Sequence, residues 1–191
     1  MTVIDRIPEE RRWKWTGEAA ERAVAAGILP EDGRWEIVDG QLVNKMPQGD
    51  LHTSFVNFLL EALREVFPPS EAHFQANAPV LLDVGEEPEP DVTIIRGRAR
   101  ERIGRKAGPA DTLLVIEVSV SSGSENLGWK LRKYAAFGVP EYWIFDLRKR
   151  TLDVFTEPLG SRYDRRTTYR SDASLPLISG TLDEILGDAR P

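Results

Sequence analysis

Cysteine is absent from the 191-residue chain, and histidine occurs only twice. Without thiols there is no disulfide, no thiolate metal site and no cysteine nucleophile, so a reducing cytoplasm is the expected location. No apolar run approaches the roughly 20 residues that a membrane span requires, so no membrane association is expected. The opening MTVIDRIPEERRWKW has no apolar core of the kind a secretion signal carries. Internal repeats and low-complexity tracts are also missing. Positive charge is in deficit: 25 Lys and Arg stand against 31 Asp and Glu, a net charge of −6. Proteins that grip polyanions over a wide surface are usually basic, which counts against extensive nucleic-acid contact.

What remains is an ordinary globular composition, 41% hydrophobic and 29% charged, in a length that suits one domain. Thr16 can cap a short helix running to about Ala26, with Gly27 closing it. RWEIVDGQLVNKM places Asp39-Gly40 between two alternating runs, a hairpin signal because both turn positions favour positive φ. Residues 50–66 read as a helix with Phe55, Leu59, Leu63 and Val66 on one face, stopped by Pro68-Pro69. HFQANAPVLLDV and DVTIIR read as strands. TLLVIEVSV, residues 112–120, is nearly all apolar and β-branched, as expected of a strand covered on both faces.

A helix from about Glu125 to Phe137 should follow, ended by Gly138 and Pro140. EYWIFDL is another buried strand. TLDVFTE and SRYDRRTTYR suggest a polar, hairpin-like edge, and Thr181 can cap a short terminal helix in TLDEILGD. The order predicts an α/β (α+β) fold, one mixed sheet flanked by helices, with an added β-hairpin. Residues 1–32 form an N-terminal helical extension, 33–146 the core, and 147–191 the edge strands and terminal helix. The strand–helix–strand unit from 112 to 146 should be a parallel crossover.

Two carboxylates stand out against this background. Glu117 is the one charge inside the apolar run at 112–120, and Asp91 opens the preceding strand behind the acid-rich EPEP. A buried charge needs a cation, a proton or a metal. Carboxylates on neighbouring strands suit a hard divalent ion, and Mg²⁺ is commonly held by one or two of them. Lys130 borders the inward helical stripe of Leu127, Leu131, Tyr134 and Ala135. Its ammonium could reach the sheet end where Glu117 emerges, or it could be an ordinary snorkelling lysine.

These residues resemble the PD-(D/E)XK nuclease superfamily, and within it the Uma-two family of restriction endonucleases. The resemblance rests on EPDV, on VIEVSVS, and on KLRKYAAFGVPEYWIFD with its Lys130–Tyr134 spacing. RWEIVDGQLV and MPQGDLH extend it from about Gly33 to Asp146. It implies a restriction-endonuclease-like core and metal-dependent phosphodiester hydrolysis, with DNA the expected substrate. Asp91 and Glu117 would be the metal ligands for Mg²⁺ or Mn²⁺, and Lys130 would be the catalytic lysine. The superfamily pattern puts that lysine two residues after the acid. Here the position is Ser119, so the site is complete only if Lys130 substitutes from the helix.

Glu36 matches an early acid of the superfamily or is a surface acid of its strand. His52 matches a family histidine or is a satisfied core residue. Gln75 is a candidate polar contact one strand ahead of Asp91. RGRARERIGRK, residues 96–106, carries six basic residues against one acid. It is a solvated loop, or a phosphate-contacting one through Arg96, Arg98 and Arg100. Cutting both strands of a duplex would call for a homodimer, with the strands after Thr151 as a possible interface. Three other readings stay open: a catalytically silent binding protein with the same fold, a metal-dependent hydrolase of a small phosphate ester, and a purely structural role in which Asp91 and Glu117 pair with arginines of the 96–106 loop.

Overall fold

The structure, a computed structural model, describes residues 13–31, 33–45, 48–120 and 128–189. Its helices are α1 (Gly17–Ala25), α2 (Asp50–Arg64), α3 (Gly128–Ala136) and α4 (Leu182–Leu186). Its strands are β1 (Trp35–Val38), β2 (Gln41–Asn44), β3 (Ala72–Ala76), β4 (Val92–Arg96), β5 (Thr112–Ser119), β6 (Glu141–Asp146), β7 (Thr151–Leu159) and β8 (Arg162–Tyr169).

Six strands form one sheet in the order β3-β4-β5-β6-β7-β8, and β1-β2 stand apart as a hairpin. Every neighbouring pair is antiparallel except β5 and β6. That exception follows from α3, which carries the chain between two strands covered on both faces.

The period-two pattern of β5 sorts its side chains onto opposite faces. Leu114, Ile116 and Val118 join α2 residues Phe55, Val56, Leu59 and Leu63 in one core. Val115 joins Tyr134 and Ala135 of α3, with Tyr142, Ile144 and Phe155, in the other. Glu117 is two residues from Val115 and so belongs to the α3 face, which is the reason Lys130 of α3 can reach it.

Local signals act as their chemistry dictates. The Thr16 hydroxyl accepts from the Ala19 amide at 3.2 Å, and Thr181 and Glu184 form a reciprocal cap on α4. Asp39 and Gly40 take φ values of 51° and 72°, making the hairpin turn.

Three expectations are corrected. HFQANAPVLLDV is a strand only through Ala76, because Asn77 turns left-handed at φ 49° and Pro79 has no amide for a ladder. Residues beyond it fold back instead, with Val80 and Leu82 donating to Pro88 and Glu86 carbonyls. The long helix ends at Arg64, and Val66 is exposed rather than on the inward stripe. β7 is no polar edge: Leu152, Val154 and Phe155 are buried, and of this pair of strands β8 alone lies at a rim of the sheet. Leu127 and the predicted helix start at Glu125 lie outside the described residues.

Candidate active site

The acid-rich turn ahead of β4 distributes its charges among cations from four different parts of the chain. Glu86 takes Lys133 of α3 at 2.7 Å, and Glu87 takes Lys106 at 2.9 Å and the Gly17 amide at 2.7 Å. Glu89 takes Arg34 at 2.7 Å and Lys45 at 3.4 Å. The chain is thereby held on both sides of Pro88, and Asp91 arrives at the sheet in a fixed pose.

Asp91 is buried, and each oxygen has its own partners. Oδ2 accepts from the Val118 amide of β5 at 2.8 Å and lies 3.1 Å from His52 Nε2 of α2. Oδ1 accepts from Gln48 at 2.9 Å and lies 3.9 Å from Lys45 Nζ. Burial works against the ionised form, but His52, the Val118 amide and Lys45 together hold the carboxyl below the usual aspartate range. His52 Nδ1 is buried with no hydrogen-bond partner among the described residues.

Glu117, next to the residue whose amide binds Asp91, is in the opposite electrostatic state. Burial pushes its carboxyl up to about 7, the Lys130 ammonium pulls it down and the Asp91 charge raises it further. Lys130 Nζ sits 2.8 Å from Glu117, 3.0 Å from Glu36 and 3.4 Å from the Glu89 carbonyl. Burial disfavours the charged lysine, yet the two carboxylates hold its pKa above the ordinary value. Tyr134 and Tyr142, whose hydroxyls are buried without partners among the described residues, also have raised pKa values, from burial and the Glu117 charge.

The structure therefore brings Asp91, Glu117, Lys130, Glu36 and His52 into one contiguous network. Gln75 stays outside it: on β3 the residue pairs with Thr93 of β4, and no hydrogen bond of the described residues ties it to the carboxylates. Arg96, Arg98 and Arg100 are exposed at the other end of β4. Five residues of strand at about 3.3 Å each put the first of them about 17 Å from Asp91. Arg102, Arg105 and Lys106 of the same run are spoken for by Asp111, the Glu101 carbonyl, and Glu87 with Glu21.

The sequence reading missed Lys45, Gln48, Glu89, Arg34 and Asn77. Arg34 bonds both Glu89 and Asn77 at 2.7 Å, and Gln48 reaches Asn77 at 3.1 Å as well as Asp91. A period-two signal for Glu89 was available, since in an extended segment it lies on the same side as Asp91.

Among the described residues the network holds four carboxylates, Glu36, Glu89, Asp91 and Glu117, and three permanent cations, Arg34, Lys45 and Lys130. Carboxylates outnumber the permanent cations by one, with His52 set against Asp91 besides, and Glu117's raised pKa comes first from its burial. Hard oxygen donors with a surplus negative charge fit a divalent ion of the Mg²⁺ type. No described grouping of three or more Asp, Glu or His side chains forms a closed ligand set, since the Lys130 ammonium lies between Glu117 and Glu36. The donor pair that fits a metal is Asp91 with Glu117.

Among solved structures the chain is similar to a protein from Anabaena variabilis whose crystal structure is described as that of "a putative nuclease belonging to DUF820". The TM-score is 0.62 at 18% identity, covering 85% of this chain and 88% of that one, which establishes a shared fold. No curated protein matches. No helix among the described residues is long and apolar enough to cross a membrane. The family model described as "Putative restriction endonuclease" matches residues 22–182, from α1 to the start of α4, and so includes every residue of the carboxylate–lysine network. The chain belongs to that family, Uma2.

Proposed function

We propose that this protein is a metal-dependent endonuclease that hydrolyses phosphodiester bonds in nucleic acid, with DNA the favoured substrate. The observation that carries this reading is the pair of buried carboxylates, Asp91 and Glu117, at the same end of adjacent strands, with Lys130 bound to the second. Asp91 and Glu117 are the residues that would hold Mg²⁺ or Mn²⁺. Such an ion polarises the phosphate and lowers the pKa of a bound water.

The chain's own residues supply the rest. His52 and the Val118 amide fix the Oδ2 edge of Asp91, leaving Oδ1 toward Gln48 and Lys45. Lys130 keeps Glu117 oriented and favours its ionised form against the effect of burial, while Glu36 shares the lysine's charge. Fixed positive charge beside a phosphate is worth most in a site of low dielectric, where no solvent has to reorganise. Phosphate-ester hydrolysis can require about 20 kcal/mol of barrier lowering, so loss of either acid should be close to fatal. The chain would act as one nuclease-like domain in the cytoplasm. It would pair as a homodimer to present two sites to a duplex, with β8 as the exposed edge.

The test is calorimetric titration of Mn²⁺ into the wild type and Glu117→Ala, with plasmid nicking measured on both. Binding and nicking in the wild type, both lost in the variant, support the reading. Metal binding without cleavage of DNA or RNA favours a small phosphate ester as substrate. A wild type that binds no metal refutes the site.

A further inference from the structure

The network contains two lysines with unequal freedom. Lys130 has three N–H donors and three acceptors, Glu117 Oε1, Glu36 Oε2 and the Glu89 carbonyl, and its side chain is 5% exposed. It has no donor left for a substrate. Lys45 stands at the end of β2, with its backbone amide anchored on the Arg34 carbonyl at 2.9 Å. Its ammonium donates to the Glu89 carbonyl at 2.8 Å and to Glu89 Oε1 at 3.4 Å. The remaining donor faces Asp91 Oδ1 across 3.9 Å, beyond hydrogen-bond range. That gap lies on the Oδ1 edge of Asp91, which accepts from Gln48, while His52 and Val118 hold the other edge. The charge of Lys45 acts on both Asp91 and Glu117, lowering the pKa of each.

Building on the nuclease reading above, we propose that Lys45 is the residue that binds the scissile phosphate, its third N–H donating to a non-bridging oxygen beside Asp91, while Lys130 serves as the positioning cation for Glu117 and Glu36. The lysine comes from the small hairpin rather than from the main sheet. Glu89 sets its position: the carbonyl takes both lysines, and the carboxylate joins Lys45 to Arg34. Anchored in this way, the ammonium loses little freedom when a phosphate arrives, which is the condition for a large contribution in the transition state.

The experiment compares wild type, Lys45→Met and Lys45→Arg by three readouts. Mn²⁺ titration should show affinity unchanged or tighter in Lys45→Met, because a repelling charge has gone. Binding of a short labelled duplex with Ca²⁺ in place of Mn²⁺ should lose salt dependence, the slope falling by about 0.9 for one phosphate contact. Single-turnover plasmid nicking should slow by about 100-fold or more, the range for removing one transition-state donor. Lys45→Arg should keep the wild-type slope and recover part of the rate. This variant also guards against a fold defect, since the arginine can still pair with Glu89.

Wild-type rate and slope in Lys45→Met overturn the proposal. A slower rate with an unchanged slope overturns it too, because Lys45 would then act only through Asp91. If the wild type binds Mn²⁺ but cuts no nucleic acid, the endonuclease reading fails and the phosphate contact on DNA fails with it. A wild type that cuts while Lys45→Met cuts equally well leaves the nuclease reading standing and removes only this one.

Discussion

Replacing Glu117 with glutamine should stabilise the metal-free protein at alkaline pH. The carboxyl is held at about 7 in the folded state against an ordinary 4.5, so between those values the folded form binds the extra proton. Stability must then fall as pH rises through that window, by about 3 kcal/mol at roughly 1.4 kcal/mol per tenfold change in acidity. Glutamine never ionises and still offers Lys130 an oxygen. It gives up about 1 kcal/mol, the difference between a charge-assisted and a neutral hydrogen bond. The net gain is about 2 kcal/mol near pH 8, or about 4–8 °C in Tm for a chain of this size.

Near pH 5.5 the wild-type carboxyl is largely protonated and the two proteins should melt together. The assay is thermal unfolding of both with a chelator present at the two pH values. A variant that melts lower at pH 8, or a gap that does not change with pH, would refute the argument that burial strains the ionised Glu117. The stabilised variant should also fail to nick plasmid, a trade of activity for stability that is common at charged sites.

Lys130→Met should be the most destructive change in the network, because it leaves Glu117 and Glu36 buried without their cation; chemical denaturation at pH 8 should show a loss of about 3–5 kcal/mol, much of it recovered on acidification. Leu59→Ala removes a fully buried side chain between α2 and the sheet and should cost about 2–5 kcal/mol by the same measurement, with no pH dependence. Replacing Arg96, Arg98 and Arg100 together by alanine should reduce the salt slope of duplex binding by up to about 3 while leaving the single-turnover rate intact; an unchanged slope would make that run a solvated loop.

Much of the fold was readable because the decisive patterns were local. A Thr cap, an Asp-Gly turn and an unbroken β-branched run each select one backbone conformation with little help from distant residues. Glu117 and Asp91 were visible for a related reason: a charge inside or at the mouth of an apolar strand has few places to go. Lys45 was invisible because its environment is made by other segments. In NKM it follows an alternating, largely exposed strand, and only the arrival of Glu89 and Asp91 from the turn ahead of β4 buries it. The strand from His73 was overextended because Val80 and Leu82 are as apolar as ladder residues, although they reach the α3 core through an irregular segment. The arginine run follows Asp91 closely in sequence but not in space, since a single strand is enough to carry the chain from one end of the sheet to the other.

The network gathers residues from Arg34 to Lys130, with no pair of opposite charges that is local in sequence. Arg34 waits for Glu89, Lys45 for Asp91, and Glu36 for Lys130. Contacts of such long sequence separation form only after their loops have closed, late in the search for the native state. During synthesis Glu117 leaves the ribosome before the lysine that balances it, and the acid-rich turn leaves before Lys130 and Lys133. A chain still being made holds scattered carboxylates that repel one another and no assembled pair with its lysine. On the proposed reading, the capacity to cut therefore appears with the finished fold, and a nascent or unfolded copy is harmless to nucleic acid around it.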